Sequence, residues 1–253
     1  MKTIAAVYTG TGNSLYLAKL IPDAEVHLIE EFMDGRYEMP ADTERLALVF
    51  PAYCFSVPYP MRRFISEYLG SRDNSSLGYI YAFITCGATA LYTLYDTDRC
   101  LQDIGCALSY AESFRFPDAY LPLKKKAVTE KETETIVGKT LEKIRKAIED
   151  TENETIKLPK KIPGWRIMRR WGSTLKPCAN EKLKVSARCT GCGICASICP
   201  NGNIWIENGK ANMDNRCITC FACYHRCPEN AIEYPGATGQ YKGLVDTKEL
   251  KRK

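Results

Sequence analysis

Histidine is almost absent: His27 and His225 are the only two in 253 residues. A hydrolase built on a triad needs an imidazole beside its nucleophile, so this scarcity argues against that class. An N-terminal apolar run is also missing. Met1-Lys2-Thr3-Ile4-Ala5-Ala6-Val7-Tyr8 leads directly into a Gly/Thr-rich turn with no small-residue cleavage site, which predicts no secretory signal and a cytoplasmic location. No lysine follows the glycine turn before Lys19, so a GxxxxGK[ST] loop for ATP or GTP is disfavoured. Charge is missing from residues 74–95, a stretch of membrane-spanning length. Yet Thr85, Cys86, Gly87 and Thr89 interrupt it, and residues 79–84 are aromatic and β-branched, so the expectation is a buried strand and no membrane span.

What is present is an ordinary globular composition, 45% hydrophobic and 26% charged, in a chain long enough for two domains. Residues 1–150 alternate short apolar runs with helical patterns, the signature of βαβ units and a parallel sheet. Strands are expected at 4–8, 26–29, 46–50, 79–84 and 107–114, and helices at 13–20, 60–69, 91–104 and 130–148. In the last helix Ile136, Thr140, Ile144 and Ile148 recur every fourth position while Lys139, Glu142, Lys143 and Arg145 face away. Residues 151–180 read as a basic linker carrying Trp165 and Trp171. From 157 to 188, ten basic residues oppose only Glu181, although the whole chain carries a net +5. This stretch suits a packed or loose linker, or a docking surface for an acidic redox partner; single-strand nucleic acid needs stacking aromatics on a formed groove and is not expected. Residues 181–253 make the second folded domain.

The 13 cysteines carry most of the chemistry. Their number is odd and the expected compartment reducing, which speaks against a disulfide framework. Cys54, Cys86, Cys100, Cys106 and Cys178 stand singly, and the other eight form an internal repeat. Cys189, Cys192, Cys195 and Cys199 recur 28 positions later as Cys217, Cys220, Cys223 and Cys227, with Arg188/Arg216, Pro200/Pro228 and Ile204/Ile232 keeping step. Each half reads C-x2-C-x2-C-x3-C-P. A zinc site is satisfied by two CxxC pairs, which leaves the third cysteine and the proline without a purpose. Three close thiolates on one turn, followed by a fourth in the next helix, suit a cubane whose fourth ligand comes from the other motif, the pattern of bacterial two-cluster ferredoxins. Cys189, Cys192, Cys195 and Cys227 are therefore expected to hold one [4Fe–4S] cluster, and Cys217, Cys220, Cys223 and Cys199 the other. Gly191 and Gly193 let the chain turn close to the inorganic core. His225 is expected to be an exposed filler of its spacer, where the other half has Ser197.

Directly after the first strand comes Thr9-Gly10-Thr11-Gly12-Asn13-Ser14, a hydroxyl-rich glycine turn whose backbone N–H groups make an anion site. Two nucleotide readings remain. A GxGxxG dinucleotide fingerprint fits Gly10 and Gly12, with Glu30 near the ribose-binding position, but Leu15 stands where the third glycine belongs. Neutral hydroxyls around a phosphate monoester resemble the T/S-x-T-G-x-T/S loop of flavodoxins, matched by Thr9, Thr11, Gly12 and Ser14. That resemblance implies FMN, with Pro51, Ala52 and Tyr53 after the third strand framing the isoalloxazine, and Thr85, Cys86 and Gly87 after the fourth reaching its polar edge. Cys54 and Cys86 read as small loop residues and not as redox thiols, since no CxxC or adjacent cation lowers their pKa.

Taken together, the halves resemble the flavodoxin–ferredoxin fusion family of anaerobes over nearly the whole chain. The resemblance includes Phe116-Pro117-Asp118-Ala119-Tyr120, similar to that family's P-x-N-Y segment with Ala119 in place of the usual Asn. It implies an α/β chain in which a flavodoxin-like, doubly wound, five-stranded parallel sheet precedes a small α+β two-cluster ferredoxin domain, with FMN and two [4Fe–4S] clusters as cofactors. A flavin moves one or two electrons and each cluster one, so the expected function is electron transfer as a one-to-two electron converter serving a redox partner protein. The alternative is a flavin-dependent oxidoreductase acting on a quinone or NAD(P)H.

Overall fold

The computed structural model describes residues 3–54, 56–167 and 182–252. Phe55 and residues 168–181, with Met168, Trp171 and Cys178, lie outside the described residues. Two compact units make up the chain: Met1–Thr9, Ser14–Phe116 and Ile136–Thr174 form the first, and Gly10–Asn13, Pro117–Thr135 and Leu175–Lys253 the second.

In the first unit, β1 (Thr3–Val7), β2 (Ala24–Leu28), β3 (Arg45–Pro51), β4 (Tyr79–Cys86) and β5 (Tyr110–Arg115) form one sheet in the order β2-β1-β3-β4-β5, every neighbouring pair parallel. β1 is buried along its whole length and β3 and β4 nearly so, as strands covered on both faces require. The winding reverses between β1 and β3, which is the flavodoxin-like doubly wound order and puts the loops after those strands at the switch point. The charge-free stretch 74–95 is thus a central strand and the start of α4 (Leu91–Gln102). No helix among the described residues is long and apolar enough to cross a membrane.

The helices follow the expected pattern with three differences. Ile29, read as a strand end, opens a five-residue helix α2 (Ile29–Met33) whose Ile29 and Phe32 are buried. The single helix expected at 60–69 is a short α3 (Tyr59–Arg63) that widens into a π-turn at Phe64–Tyr68 and tightens into a 3₁₀ turn at Leu69–Ser71. A short α5 (Leu121–Lys124) was not foreseen. The long α6 (Glu130–Glu152) buries Thr133, Val137, Thr140, Ile144, Ala147 and Thr151, a stripe at three- and four-residue steps, so Ile136 and Ile148 flank the apolar face instead of centring it. Beyond α6, Lys157 pairs with the free edge of β5, donating to the Ser109 carbonyl at 2.9 Å and accepting from the Ala111 N–H at 3.0 Å. Trp165 meets Tyr95 edge to face at 5.4 Å, whereas Ile167 is exposed.

The second unit carries two small antiparallel pairs, β6 (Lys184–Val185) with β9 (Ile232–Glu233), and β7 (Ile204–Glu207) with β8 (Lys210–Met213). Asn208 and Gly209, both at positive φ, make the two-residue turn that joins β7 to β8. Its core includes Leu121, Ile204, Phe221, Tyr224, Ile232 and Tyr234.

Candidate metal centre and phosphate loop

Each cysteine motif turns through two left-handed residues before a one-turn helix, Ile194–Ser197 in the first half and Ala222–His225 in the second. The first half uses Gly191 and Gly193, at φ 69° and 78°; the second reaches the same conformation at the equivalent Thr219 and Phe221, at φ 53° and 58°. A cavity in the unit is lined by Cys189, Cys192 and Cys195 and, from the other half, Cys227, with Ile206 and Ala211 as apolar wall. Reciprocally, Cys199 is an electrostatic neighbour of Cys217, Cys220 and Cys223. The fold therefore gathers the first three cysteines of each half with the last cysteine of the other.

Backbone amides already address these sulfurs. The N–H of Asn203 donates to Cys199 Sγ and that of Ala231 to Cys227 Sγ, both at 3.2 Å and at equivalent places in the repeat, while Ala211 donates to Cys189 at 3.4 Å and Thr219 to Cys217 at 3.3 Å. Donors of this kind favour thiolate and set the potential of an iron–sulfur centre. Desolvation pushes the Cys195 thiol up to about 11 and Cys220 to about 12, with neighbouring thiolates adding to both, and raises Cys223 strongly. Cations that bind these raised thiols must displace their protons. Among the described residues no three His, Cys, Asp or Glu side chains converge on a single-ion position. Four cysteines lining one cavity are a donor set that fits a cluster.

His225 is not the exposed filler that its spacer position suggested. It is 3% exposed, its Nε2 donates to the Ala119 carbonyl at 2.9 Å, and its Nδ1 accepts the Tyr241 N–H at 3.0 Å. Burial, opposed by the Ala119 carbonyl and reinforced by Arg226, pushes its pKa down to about 4, so the ring is neutral with both nitrogens occupied. Ala119 thus takes part through its backbone carbonyl. Arg226, next in the spacer, donates from Nη2 to the Thr11 carbonyl at 3.0 Å and from Nη1 to Thr247 Oγ1 at 3.3 Å. The Tyr241 hydroxyl donates to Asn13 Oδ1 at 2.6 Å, and Asn13 Nδ2 to the Pro117 carbonyl at 2.9 Å, so the Asn13 side chain is committed to protein partners.

The remaining residues of the expected cofactor site are distributed along this turn and the sheet edge. Gly10, Thr11 and Gly12 are buried, Gly12 at φ 104°, where a Cβ would lie 2.5 Å from Val245 Cγ2. In the first unit Thr9 and Ser14 are almost fully buried, and Ser14 Oγ hydrogen-bonds Thr85 Oγ1 at 2.9 Å. The Ala52 N–H donates to the Thr85 carbonyl at 2.8 Å and ties the loops after β3 and β4 together. Pro51, Tyr53, Cys86 and Gly87 are half-exposed at the carboxyl ends of those strands, and Tyr53 meets Tyr8 edge to face at 6.1 Å. Under this edge the buried Asp96 of α4 accepts from Ser56 Oγ at 2.8 Å, the Val57 N–H at 3.1 Å and Arg62 Nη2 at 2.7 Å. Asp96, Arg226 and Tyr241 escaped the sequence reading. Only Asp96 left a signal there, a carboxylate in line with Thr93, Thr97 and Cys100 on the buried face of α4.

Residues 188–232 match the family described as the 4Fe-4S dicluster domain. No curated protein matches the chain. Among solved structures, the Trp repressor binding protein from Bacillus subtilis shares 12% identity over 60% of this chain and 95% of that one, with a TM-score of 0.39. Rubredoxin oxygen:oxidoreductase from the anaerobe Desulfovibrio gigas shares 8% over 60% of this chain and 36% of that one, with a TM-score of 0.34. The fold assignment rests on strand order and not on these likenesses. In class, the chain joins a flavodoxin-like sheet to a ferredoxin-type domain whose residues 188–232 match an iron–sulfur family.

Proposed function

We propose that this chain is a two-cluster iron–sulfur flavoprotein of the flavodoxin–ferredoxin fusion kind that passes electrons between two [4Fe–4S] clusters and FMN. The observation that carries the reading is the exchange of cysteines between motifs, with Cys227 lining the cavity of the first three and Cys199 neighbouring the second three. Cys189, Cys192, Cys195 and Cys227 hold one cluster, and Cys217, Cys220, Cys223 and Cys199 the other. The hydroxyls of Thr9, Thr11 and Ser14 and the backbone from Gly10 to Asn13 hold the FMN phosphate. Pro51, Ala52, Tyr53, Thr85, Cys86 and Gly87, at the carboxyl ends of β3 and β4 beside the switch point, frame the ring. Bound flavin supplies one- or two-electron chemistry and each cluster one-electron chemistry. The partner is a redox protein with an acidic face, met by the exposed Lys160, Lys161 and Arg166, and the setting is cytoplasmic.

Anaerobically purified protein should contain about eight iron and eight sulfide per chain, as two cubanes require, and one FMN. Cluster reduction by dithionite should be followed by flavin reduction at a rate independent of protein concentration. A flavin that stays oxidised, or follows second-order kinetics, ends the converter reading; fast steady turnover of a quinone or NAD(P)H makes the protein an oxidoreductase instead. Each hydroxyl bond to a phosphate dianion is worth about 1.5–3 kcal/mol, so Thr11→Ala should weaken FMN about 10- to 100-fold and leave riboflavin binding little changed.

A further inference from the structure

We propose that Arg226, a residue of the second cysteine motif, is the positioning residue of the phosphate loop and sets the preference of this protein for FMN over riboflavin. The inference rests on the flavin reading above and adds to it a residue that lies more than 200 positions away in sequence.

Arg226 stands in the spacer between Cys223 and Cys227. Its guanidinium reaches the Thr11 carbonyl at 3.0 Å and Thr247 Oγ1 at 3.3 Å, all within the second unit. A carbonyl held by a cation fixes its peptide plane. In a trans peptide the C=O and the following N–H point in opposite directions, so holding the Thr11 oxygen dictates the direction of the Gly12 N–H. Gly12 has no side chain to restrict its φ of 104°, and the bond from outside supplies the restriction that the residue itself lacks.

Three features show that the guanidinium is a fitted part and not a surface arginine at rest. Gly243, at φ 75°, is the residue over which it lies, and a Cβ there would fall on Nη2 itself and 2.9 Å from the Thr11 oxygen. Val245 closes on Gly12 from the same tail. The preceding spacer residue, His225, holds the Tyr241 N–H, and Tyr241 in turn holds Asn13 Oδ1, so adjacent spacer residues secure the loop at Thr11 and at Asn13 by separate routes. A guanidinium keeps its charge at any working pH, and a permanent cation beside the loop also favours a dianionic phosphate over the neutral hydroxyl of riboflavin.

The test is anaerobic titration of the cluster-loaded full chain with FMN and with riboflavin, read by quenching of flavin fluorescence, with iron content and visible absorbance confirming both clusters in every variant. Arg226→Gln should weaken FMN about 10-fold and riboflavin hardly at all, and Arg226→Lys should restore part of the loss. Gly243→Ala, which displaces the guanidinium while leaving every residue of the cysteine motif in place, should reproduce the selective loss if Arg226→Gln fails to load its clusters. Equal affinities in wild type and variants, or a parallel loss for both flavins, would overturn the assignment. Wild-type protein that binds riboflavin as tightly as FMN overturns it too while leaving a flavin site, whereas failure to bind either flavin removes the flavin reading itself.

Discussion

The two left-handed glycines of the first cysteine motif should not respond alike to a methyl group. Gly191→Ala and Gly193→Ala both place an L-residue near φ 70°, at a cost of about 1–2 kcal/mol each. At Gly193 that is the whole cost, because the nearest atom to the new Cβ is Ile206 Cγ1 at 4.0 Å. At Gly191 the Cβ would lie 2.6 Å from the Gly209 carbonyl oxygen and 2.8 Å from its carbon, where ordinary contact begins near 3.4 Å. Gly209 cannot retreat freely, since it occupies the turn that pairs Glu207 with Lys210. Overpacking of this kind costs about 1–3 kcal/mol more, bringing Gly191→Ala to about 2–5 kcal/mol, much of what a small domain has. Anaerobic guanidinium titration, following loss of cluster absorbance and of bound iron, should rank wild type above Gly193→Ala and Gly193→Ala well above Gly191→Ala. Equal losses in the two variants would refute the role given to the β7–β8 turn.

Cys199→Ala should abolish the cluster signal associated with Cys217, Cys220 and Cys223 and leave that of its own motif; electron paramagnetic resonance showing loss of the local cluster would reject the crossed ligation. Asp96→Ala strands the Arg62 guanidinium and frees Ser56 and Val57, and should lower the stability of the sheet unit by about 3 kcal/mol in denaturant titration, against no change if the pair is idle. Glu112 is desolvated, which raises its pKa, but Lys143, Lys157 and the Ser113 N–H outweigh this and hold the carboxyl below its ordinary 4.5. A carboxyl lowered in the folded state contributes stability that is complete above its unfolded pKa and lost as pH falls through the folded one. Wild type should therefore weaken below about pH 4.5 more steeply than Glu112→Gln, and superimposable pH profiles would count against it. Thr219→Gly relieves a β-branched residue of its positive φ and should delay thermal loss of the second cluster; faster loss would mean that the buried Thr219 side chain matters more than the strain.

The sheet was legible because a doubly covered parallel strand has to be a short, continuous apolar run, and residues 4–8, 46–50 and 79–84 are such runs at β1, β3 and β4. Cysteine spacing was legible for a similar reason, since few chemistries need three thiolates on one turn. Local irregularity was not. The widening of the helix at Phe64–Tyr68 leaves the apolar spacing looking helical, and the five-residue α2 is too short to show a period. His225 was misread because a spacer position says nothing of what lies opposite: its partners, Ala119 and Tyr241, are 106 and 16 positions away. Arg226 and Thr11, 215 apart, met for the same reason without any pattern to announce it.

Exposure is unequal around the two sets of sulfurs. Cys192 is exposed where its counterpart Cys220 is partly covered, while Cys189 and Cys217 are both partly covered and Cys195 and Cys223 both buried. Solvent at a thiolate admits dioxygen and peroxide as readily as it admits a partner, so the two clusters of the proposed centre age differently in air. In the proposed centre oxidative damage begins at Cys192, so bleaching of the first cluster precedes that of the second and serves as an early record of exposure to air.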